Sequence, residues 1–343
     1  MKDIKRIGEQ LLPVIAYGDA AGLPYEHMHS ADIDVVTGLR DTSPNTHIGE
    51  HKAGTWSDDT HLSLVVMRSL TAREGFDLED IADGHVRAYQ HARGESDDLD
   101  LGCPIQSPTE PIGWGKSTIA SVERLARGVH STESGELDGA GNGALMKLAP
   151  LVLWQYARGY GSRQSAHEVE ALTALTHRNR TALIASEVHR TFLISLLKAD
   201  EREAADDTFL PNLISQSHKR AKLLEGSIED LDTSKVLGRF VLASKEFEIQ
   251  PDVVVEATPG GGFYAPETLG RVYGSFCIEN RFPDSVYRAV ELGGDTDTIA
   301  SMVGAMSLFL HGEVAPPTDI RKLFAIKRLQ RISREFTRTI LPD

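Results

Sequence analysis

The sequence predicts an all-α protein, a helical array with one stray β segment. Three observations predict it. Apolar residues recur with a helical period along most of the chain. A single short run, Asp252-Val253-Val254-Val255, has the β-branched character of a strand. The composition is that of an ordinary globular protein: 343 residues, 41% hydrophobic and 25% charged. No linker or composition shift divides the chain, so residues 1–343 read as one compact domain.

The elements follow from their periodicity. Leu62, Val65, Val66 and Leu70 share one helix face. So do Ile119, Val122, Leu125 and Ala126, with Gly128 placed as a C-terminal stop. Leu183, Ile184, Val188 and Leu193 form a third such stripe, and Ile299, Met302, Val303, Met306 and Leu310 a fourth. Similar stretches lie near 78–92, 144–158, 163–176, 209–224, 265–280 and 318–339. The total is about a dozen helices. Two long stretches lack a period, 26–57 and 94–117, and loops of that length are usually functional or mobile. The acidic run at 200–207 reads as a solvated connection between helices.

Charge and cysteine usage narrow the class. With 36 basic and 50 acidic residues the formal net charge is −14. That sign opposes general attraction to nucleic acid or to an anionic membrane. It suits divalent cations held at a few focused points. Cys103 and Cys277 make no disulfide framework and match no zinc spacing, so a reducing cytoplasm is expected. No apolar run approaches the roughly 20 residues of a membrane span. The apolar stretch Leu11–Ala16 is short, flanked by Glu9 and Asp19, and lacks a cleavage site. A monomer is expected.

Four segments carry the chemistry. Gly54-Thr55-Trp56-Ser57-Asp58-Asp59-Thr60 and Gly293-Gly294-Asp295-Thr296-Asp297-Thr298 each stand directly before a helix. Asp, Ser and Thr there serve as N-caps, and carboxylates favour the positive end of a helix. A cap needs one side chain, however, and each segment supplies several. Crowded carboxylates repel unless cations neutralise them. If the two helix starts meet, Ser57, Asp58, Asp59, Asp295, Asp297 and Thr298 form an all-oxygen cage suited to hard divalent ions. Two ions about 3.5–4 Å apart would match the spacing of two-metal hydrolytic sites. The third segment, Gly18-Asp19-Ala20-Ala21-Gly22-Leu23-Pro24-Tyr25-Glu26, reads either as a helix end or as a loop edge carrying a mobile Glu26. The fourth, Gly139-Ala140-Gly141-Asn142-Gly143-Ala144, reads either as a tight turn or as a backbone approach to phosphate or ribose.

These four segments, in this order, resemble the ADP-ribosylglycohydrolase family. Its pattern runs Gly-Asp-Ala…Gly…Glu, Trp-Thr/Ser-Asp-Asp-Thr, Gly-Asn-Gly-Ala…Pro and Gly-Gly-Asp-Thr-Asp-Thr, and all are present between residues 18 and 298. The resemblance implies an orthogonal array of helices around two divalent cations, Mg²⁺ or Mn²⁺. It implies metal ligation by Ser57, Asp58, Asp59, Asp295, Asp297 and Thr298. Glu26 would lie on a flap over the site. Gly141, Asn142 and Gly143 would cradle the diphosphate side of the ligand. Thr176-His177 fits a Thr-His pair that approaches the ligand, although His177 reads equally as an ordinary helix-end histidine. The implied reaction is hydrolysis of the bond between ribose C1″ and an acceptor, with Glu26, Asp58 and Asp297 as candidates to move protons. The substrate would be an ADP-ribosylated protein or small molecule, with protein arginine the favoured acceptor. A modified nucleic acid is not excluded. Lys147 stands where relatives often carry Arg, and the helix after the last motif is bulkier than usual. Asp97, Asp98 and Asp100 lie where some relatives place a substrate-contacting acid.

Two rival readings are kept. His47-Ile48-Gly49-Glu50-His51 has the spacing of an inverted zinc-peptidase motif, which needs a helix; Pro44, Asn45 and Gly49 argue for a loop. A non-catalytic ADP-ribose binder, or a structural protein on the same scaffold, is the other.

Overall fold

The computed structural model describes residues 2–108, 111, 113–228, 231–246 and 249–341. Fifteen α-helices lie among the described residues, in the order α1 Ile4–Gly22, α2 Asp58–Arg73, α3 Leu78–Ala92, α4 Lys116–Ala126, α5 Leu148–Ala157, α6 Ser162–Ala174, α7 Arg180–Lys198 and α8 Glu201–Ala204. Then come α9 Phe209–Glu225, α10 Thr233–Glu246, α11 Pro251–Ala257, α12 Ala265–Ile278, α13 Asp284–Glu291, α14 Thr296–His311 and α15 Ile326–Ile340. No sheet occurs among the described residues; three isolated β-bridges do, His29–Gly293, Glu136–His177 and Gly141–Tyr264.

Two helices form the centre. Every residue of α1 from Leu11 to Gly22 is buried, and every residue of α14 from Thr296 to Leu310. Helices apolar on all sides belong inside a protein. The two pack together, and α15 covers α1 through Leu329, Ile332, Phe336 and Ile340 while its other faces meet solvent. One continuous apolar core runs from Ile7 to Ile340. A small satellite cluster of Leu23, Ile48 and Ile105 anchors both long loops beside the end of α1. No described helix is long and apolar enough to cross a membrane.

The stray strand is not formed. Residues 252–255 lie in α11. Pro251 at the first helical position presets φ and wastes no hydrogen-bond donor. Val254 is fully buried and packs against Gly274 of α12, so tertiary contact outweighs the small helical penalty of valine. The 318–339 stretch divides into a 3₁₀ turn, Thr318–Lys322, and α15. The 144–158 stretch starts as a helix only at Leu148, after a 3₁₀ turn at Asn142–Ala144. The acidic run forms the one-turn α8 with a capping box between Asp200 and Glu203. The 26–57 segment is irregular apart from the 3₁₀ turn Ser30–Asp32. Within 94–117, residues 109, 110 and 112 lie outside the described residues.

Close contact between α1 and α14 depends on two glycines. A Cβ on Gly18 would strike the backbone of Ala300 and Ser301; one on Gly22 would strike that of Thr296 and Asp297. Gly22→Ala therefore pushes away the start of α14. It should cost about 1–3 kcal/mol, the scale of core overpacking. Gly75→Ala, where a Cβ would meet only the Arg73 carbonyl at an ordinary 3.9 Å, should be near neutral. Urea denaturation of both variants measures this, and equal midpoints for Gly22→Ala and the parent chain would contradict it.

Candidate active site

The start of α2 is fixed from three sides. Trp56 is fully buried and donates Nε1–H to the Phe324 carbonyl at 3.1 Å. Gly54 lies so close to Lys322 that a Cβ would hit its carbonyl. Asp19, projecting from α1, accepts the Ser57 N–H at 2.8 Å, the Thr60 N–H at 3.0 Å and the Thr60 hydroxyl at 2.6 Å. The first backbone N–H groups of a helix have no partner within it. Here a carboxylate from another helix supplies one.

The start of α14 lies directly against this turn. Asp59 Oδ2 accepts the Ser57 hydroxyl at 3.2 Å and the Thr298 hydroxyl at 3.1 Å, and its Oδ1 accepts the Ser301 hydroxyl at 3.1 Å. The two acidic segments, 239 residues apart from Asp59 to Thr298, therefore converge. Ser57, Asp58, Asp59, Asp295, Asp297 and Thr298 are all buried, each 1–5% exposed. Ser57 does act as an N-cap, its hydroxyl accepting the Asp59 N–H at 3.4 Å. Asp295 occupies the N-cap position of α14 without a capping side-chain bond. Its Oδ2 instead accepts Asn142 Nδ2–H at 2.5 Å. Capping accounts for Ser57 and leaves the other acids unexplained.

Carboxylate oxygens cluster in two triplets, Asp19–Asp59–Asp297 and Glu26–Asp295–Asp297, within each of which the atoms lie no more than 4.8 Å apart. Asp297 belongs to both. Burial, then the charge of Asp297, pushes the carboxyls of Asp58, Asp59, Asp295 and Glu26 well above their ordinary range. The same causes raise Asp19 to about 7. An oxygen-only donor set with this much crowded acid fits hard divalent cations.

The other predicted residues surround this cluster. Glu26 is 11% exposed at the side chain, at the mouth of the acidic site, with Oε2 2.8 Å from His47 Nε2. The backbone after it is pinned to the last motif: His27 N–H donates to Gly294 O at 2.9 Å, and Gly294 N–H returns to Met28 O at 2.9 Å. Gly141-Asn142-Gly143 forms a tight turn facing 261–264, with Asn142 N–H on Phe263 O at 3.2 Å. Asn142 also donates to Gly262 O at 3.1 Å, so its side chain steers Asp295. His177 lies buried under this turn. A Cβ on Gly143 would sit 3.2 Å from His177 Cε1 and 3.0 Å from Thr118 Oγ1. Its Nδ1 meets Thr176 Oγ1 at 2.9 Å, and burial lowers its pKa to about 3, so the ring stays neutral.

Sequence reasoning did not reach several residues. Asp19 lies within a motif, but its partners on α2 are 38–41 residues away. Ser301 follows Thr298 by one turn, and that spacing is its only signal. Lys147 is fully buried with Nζ donating to Thr176 Oγ1 at 2.9 Å; burial lowers it to about 7, against the opposing charge of Asp58. Two acids of the 94–117 loop form ion pairs, Asp100 with Arg331 at 2.7 Å and Asp98 with Arg87 at 3.5 Å. The zinc-peptidase arrangement does not form. Residues 46–51 make no helix, and His51 Nε2 lies 2.9 Å from the Ile48 carbonyl.

Asp19 gives a test that needs no metal. Its folded pKa is raised, so the folded chain keeps a proton that the unfolded chain releases. Stability from this group is therefore complete below about pH 4 and falls as pH rises to about 7. Unfolding free energy of the parent minus that of Asp19→Asn, in chelator, should fall across pH 4–7 and then level. Groups far from the cluster cancel in that difference, and Glu26, Asp58 and Asp59, which the charge of Asp19 helps to raise, change it in the same direction. A difference that rises with pH would contradict the assignment.

Comparison with known proteins agrees with this architecture. Residues 14–340 match the family model described as ADP-ribosylglycohydrolase. The chain is 22% identical over 329 residues to an ADP-ribosylarginine hydrolase of Pseudomonas putida, covering 94% of this chain and 75% of that protein. It is 25% identical over 355 residues to ADP-ribosylhydrolase ARH3 of Gallus gallus, covering 92% and 88%. A solved structure described as an ADP-ribosylglycohydrolase-related protein complex superposes with a TM-score of 0.72 at 25% identity, covering 99% of this chain and all of that one. Buried acidic segments on two converging helix starts, in a helical array that matches this family over nearly its whole length, place the chain among the ADP-ribosylglycohydrolases, as a glycohydrolase enzyme.

Proposed function

We propose that this protein hydrolyses the glycosidic bond between ribose C1″ of ADP-ribose and a protein-linked arginine, with two divalent cations, Mg²⁺ or Mn²⁺, as cofactors. The observation that carries the reading is the convergence of Ser57-Asp58-Asp59 with Asp295-Thr296-Asp297-Thr298 in a buried, oxygen-only cluster. Asp297 belongs to both carboxylate triplets, so it would take part in holding cations from either. Ser57, Asp58, Asp59, Asp295, Asp297 and Thr298 would hold them. When bound, the ions fix the ribose hydroxyls and lower the pKa of water.

The chain's own groups do the rest. Asp19 orients the first turn of α2 and with it Asp58 and Asp59. Asn142 orients Asp295, and the glycines beside it leave the backbone open to a diphosphate. His177 supports that turn from beneath. Glu26, beside Asp295 and Asp297, is placed to pass a proton to the leaving atom. The bond from C1″ to the acceptor breaks through an oxocarbenium-like state, water adds at C1″, and the acceptor leaves with a proton. The Asp58 and Asp297 carboxylates can take the proton lost by that water. The arginine assignment rests on the Pseudomonas putida relative, an ADP-ribosylarginine hydrolase.

Asp297→Asn should abolish hydrolysis that depends on added Mg²⁺ or Mn²⁺, with helix content unchanged by circular dichroism. Arginine-, serine- and asparagine-linked ADP-ribose and O-acetyl-ADP-ribose serve as substrates, scored by the mass of released ADP-ribose. Arginine-linked substrate should turn over fastest. Full activity of Asp297→Asn would refute the metal assignment. Tight ADP-ribose binding without turnover by the metal-loaded parent would favour the non-catalytic binder.

A further inference from the structure

The 26–57 segment holds two histidines, beside Glu26, that hydrolysis leaves unused. His27 Nε2 lies 3.5 Å from Glu26 Oε1, and His47 Nε2 lies 2.8 Å from Glu26 Oε2. One donor atom from each of the three residues falls within 4.8 Å of the others. The imidazoles meet edge to face, with centroids 4.8 Å apart and planes at 79°. Both nitrogens thus converge on one carboxylate, 20 residues apart in sequence from His27 to His47.

The arrangement is held in place. His27 has φ of 67°, a left-handed conformation that costs energy for any residue with a Cβ. The His27–Gly294 backbone bond and a parallel stack on Phe263, 4.8 Å apart at 18°, keep it there. On the other side, Ile48 is buried in the satellite cluster with Leu23 and Ile105, which fixes the chain beside His47. The two histidine side chains are 56% and 34% exposed, whereas Glu26 is 11% exposed. An ion can therefore enter from solvent.

The donor chemistry differs from that of the neighbouring cluster. Imidazole nitrogen suits Zn²⁺ and Cu²⁺, whereas carboxylates alone suit Mg²⁺. Ligands bonded to zinc at about 2.0–2.1 Å in a tetrahedron lie about 3.3 Å apart. One donor atom from each residue lies within 4.8 Å of the others, so modest side-chain rotation would bring them to that spacing. Three protein ligands would leave a fourth position for water.

We propose that Glu26, His27 and His47 form a separate binding site for a borderline transition-metal ion such as Zn²⁺, and that an ion there inhibits the enzyme by tying Glu26 to the flap. Glu26 also belongs to the triplet with Asp295 and Asp297, so an ion held by His27 and His47 would draw the same carboxylate towards the flap. The inhibitory part rests on the proposed role of Glu26 in hydrolysis; the binding part does not.

Two measurements separate those parts. The chelator-treated full-length protein receives one equivalent of Cu²⁺, and its electron paramagnetic resonance spectrum is recorded. Coupling to two imidazole nitrogens is expected, reduced to one nitrogen in His47→Ala and in His27→Ala, with helix content unchanged. A spectrum with oxygen ligands alone, or one the same in both variants and the parent, overturns the site. The Mg²⁺-loaded protein is then titrated with Zn²⁺ while hydrolysis is followed, each variant being referred to its own zinc-free rate. The half-inhibiting concentration should rise at least about tenfold in His47→Ala, since even an outer partner changes metal affinity on that scale. Equal inhibition of variant and parent, or nitrogen coupling with no inhibition of the parent by Zn²⁺, overturns the regulatory role. If no substrate is hydrolysed at all, the proposed reaction fails while the copper spectrum still decides the binding site.

Discussion

The site depends on keeping several carboxylates buried side by side. Asp19, Asp58, Asp59, Asp295 and Asp297 are each no more than 5% exposed, and oxygens of Asp19, Asp59 and Asp297, and of Asp295 and Asp297, approach one another. Burial and mutual repulsion both disfavour the charged forms. The fold compensates with donors: the Ser57 and Thr60 amides and the Thr60 hydroxyl on Asp19, three hydroxyls on Asp59, and an amide side chain on Asp295. Those bonds orient the acids but leave the charge of the cluster in place. Divalent cations would neutralise it and would join the helix starts that supply the ligands.

The surrounding architecture follows from that need. Helices α1 and α14 are buried from Leu11 to Gly22 and from Thr296 to Leu310, and close enough at Gly18 and Gly22 that their backbones meet. This contact brings Asp19 beside Asp297. The fixed position of Trp56 and its neighbours brings the start of α2 against both. The long loops, anchored through Leu23, Ile48 and Ile105, carry Glu26 to the mouth. A rigid apolar centre thus presents a polar site at helix ends, where backbone dipoles and short side chains are available.

Much of this was legible in the sequence, and for identifiable reasons. Periodic apolar stripes marked most helices because each buries a face. Ser57-Asp58-Asp59 and Asp295-Thr296-Asp297-Thr298 stood out because a cap needs fewer acids than they contain. The misread valines of 252–255 show the limit of propensity: the packing of Val254 on α12, invisible locally, decided their conformation. Asp19 and Ser301 were missed because their roles depend on partners 38–41 and 242 residues away. His47 drew attention through a motif with Glu50 and His51, yet the chain pairs it with Glu26. Irregular segments set their own geometry, and spacing rules built on helices do not apply there.

The central claim is that the converging helix starts hold two divalent cations. Anomalous diffraction from crystals soaked in Mn²⁺ tests it most directly. Two manganese peaks are expected, both within bonding distance of oxygens from Ser57, Asp58, Asp59, Asp295, Asp297 and Thr298. Ordered crystals in which these six residues carry no peak at saturating Mn²⁺ would contradict it.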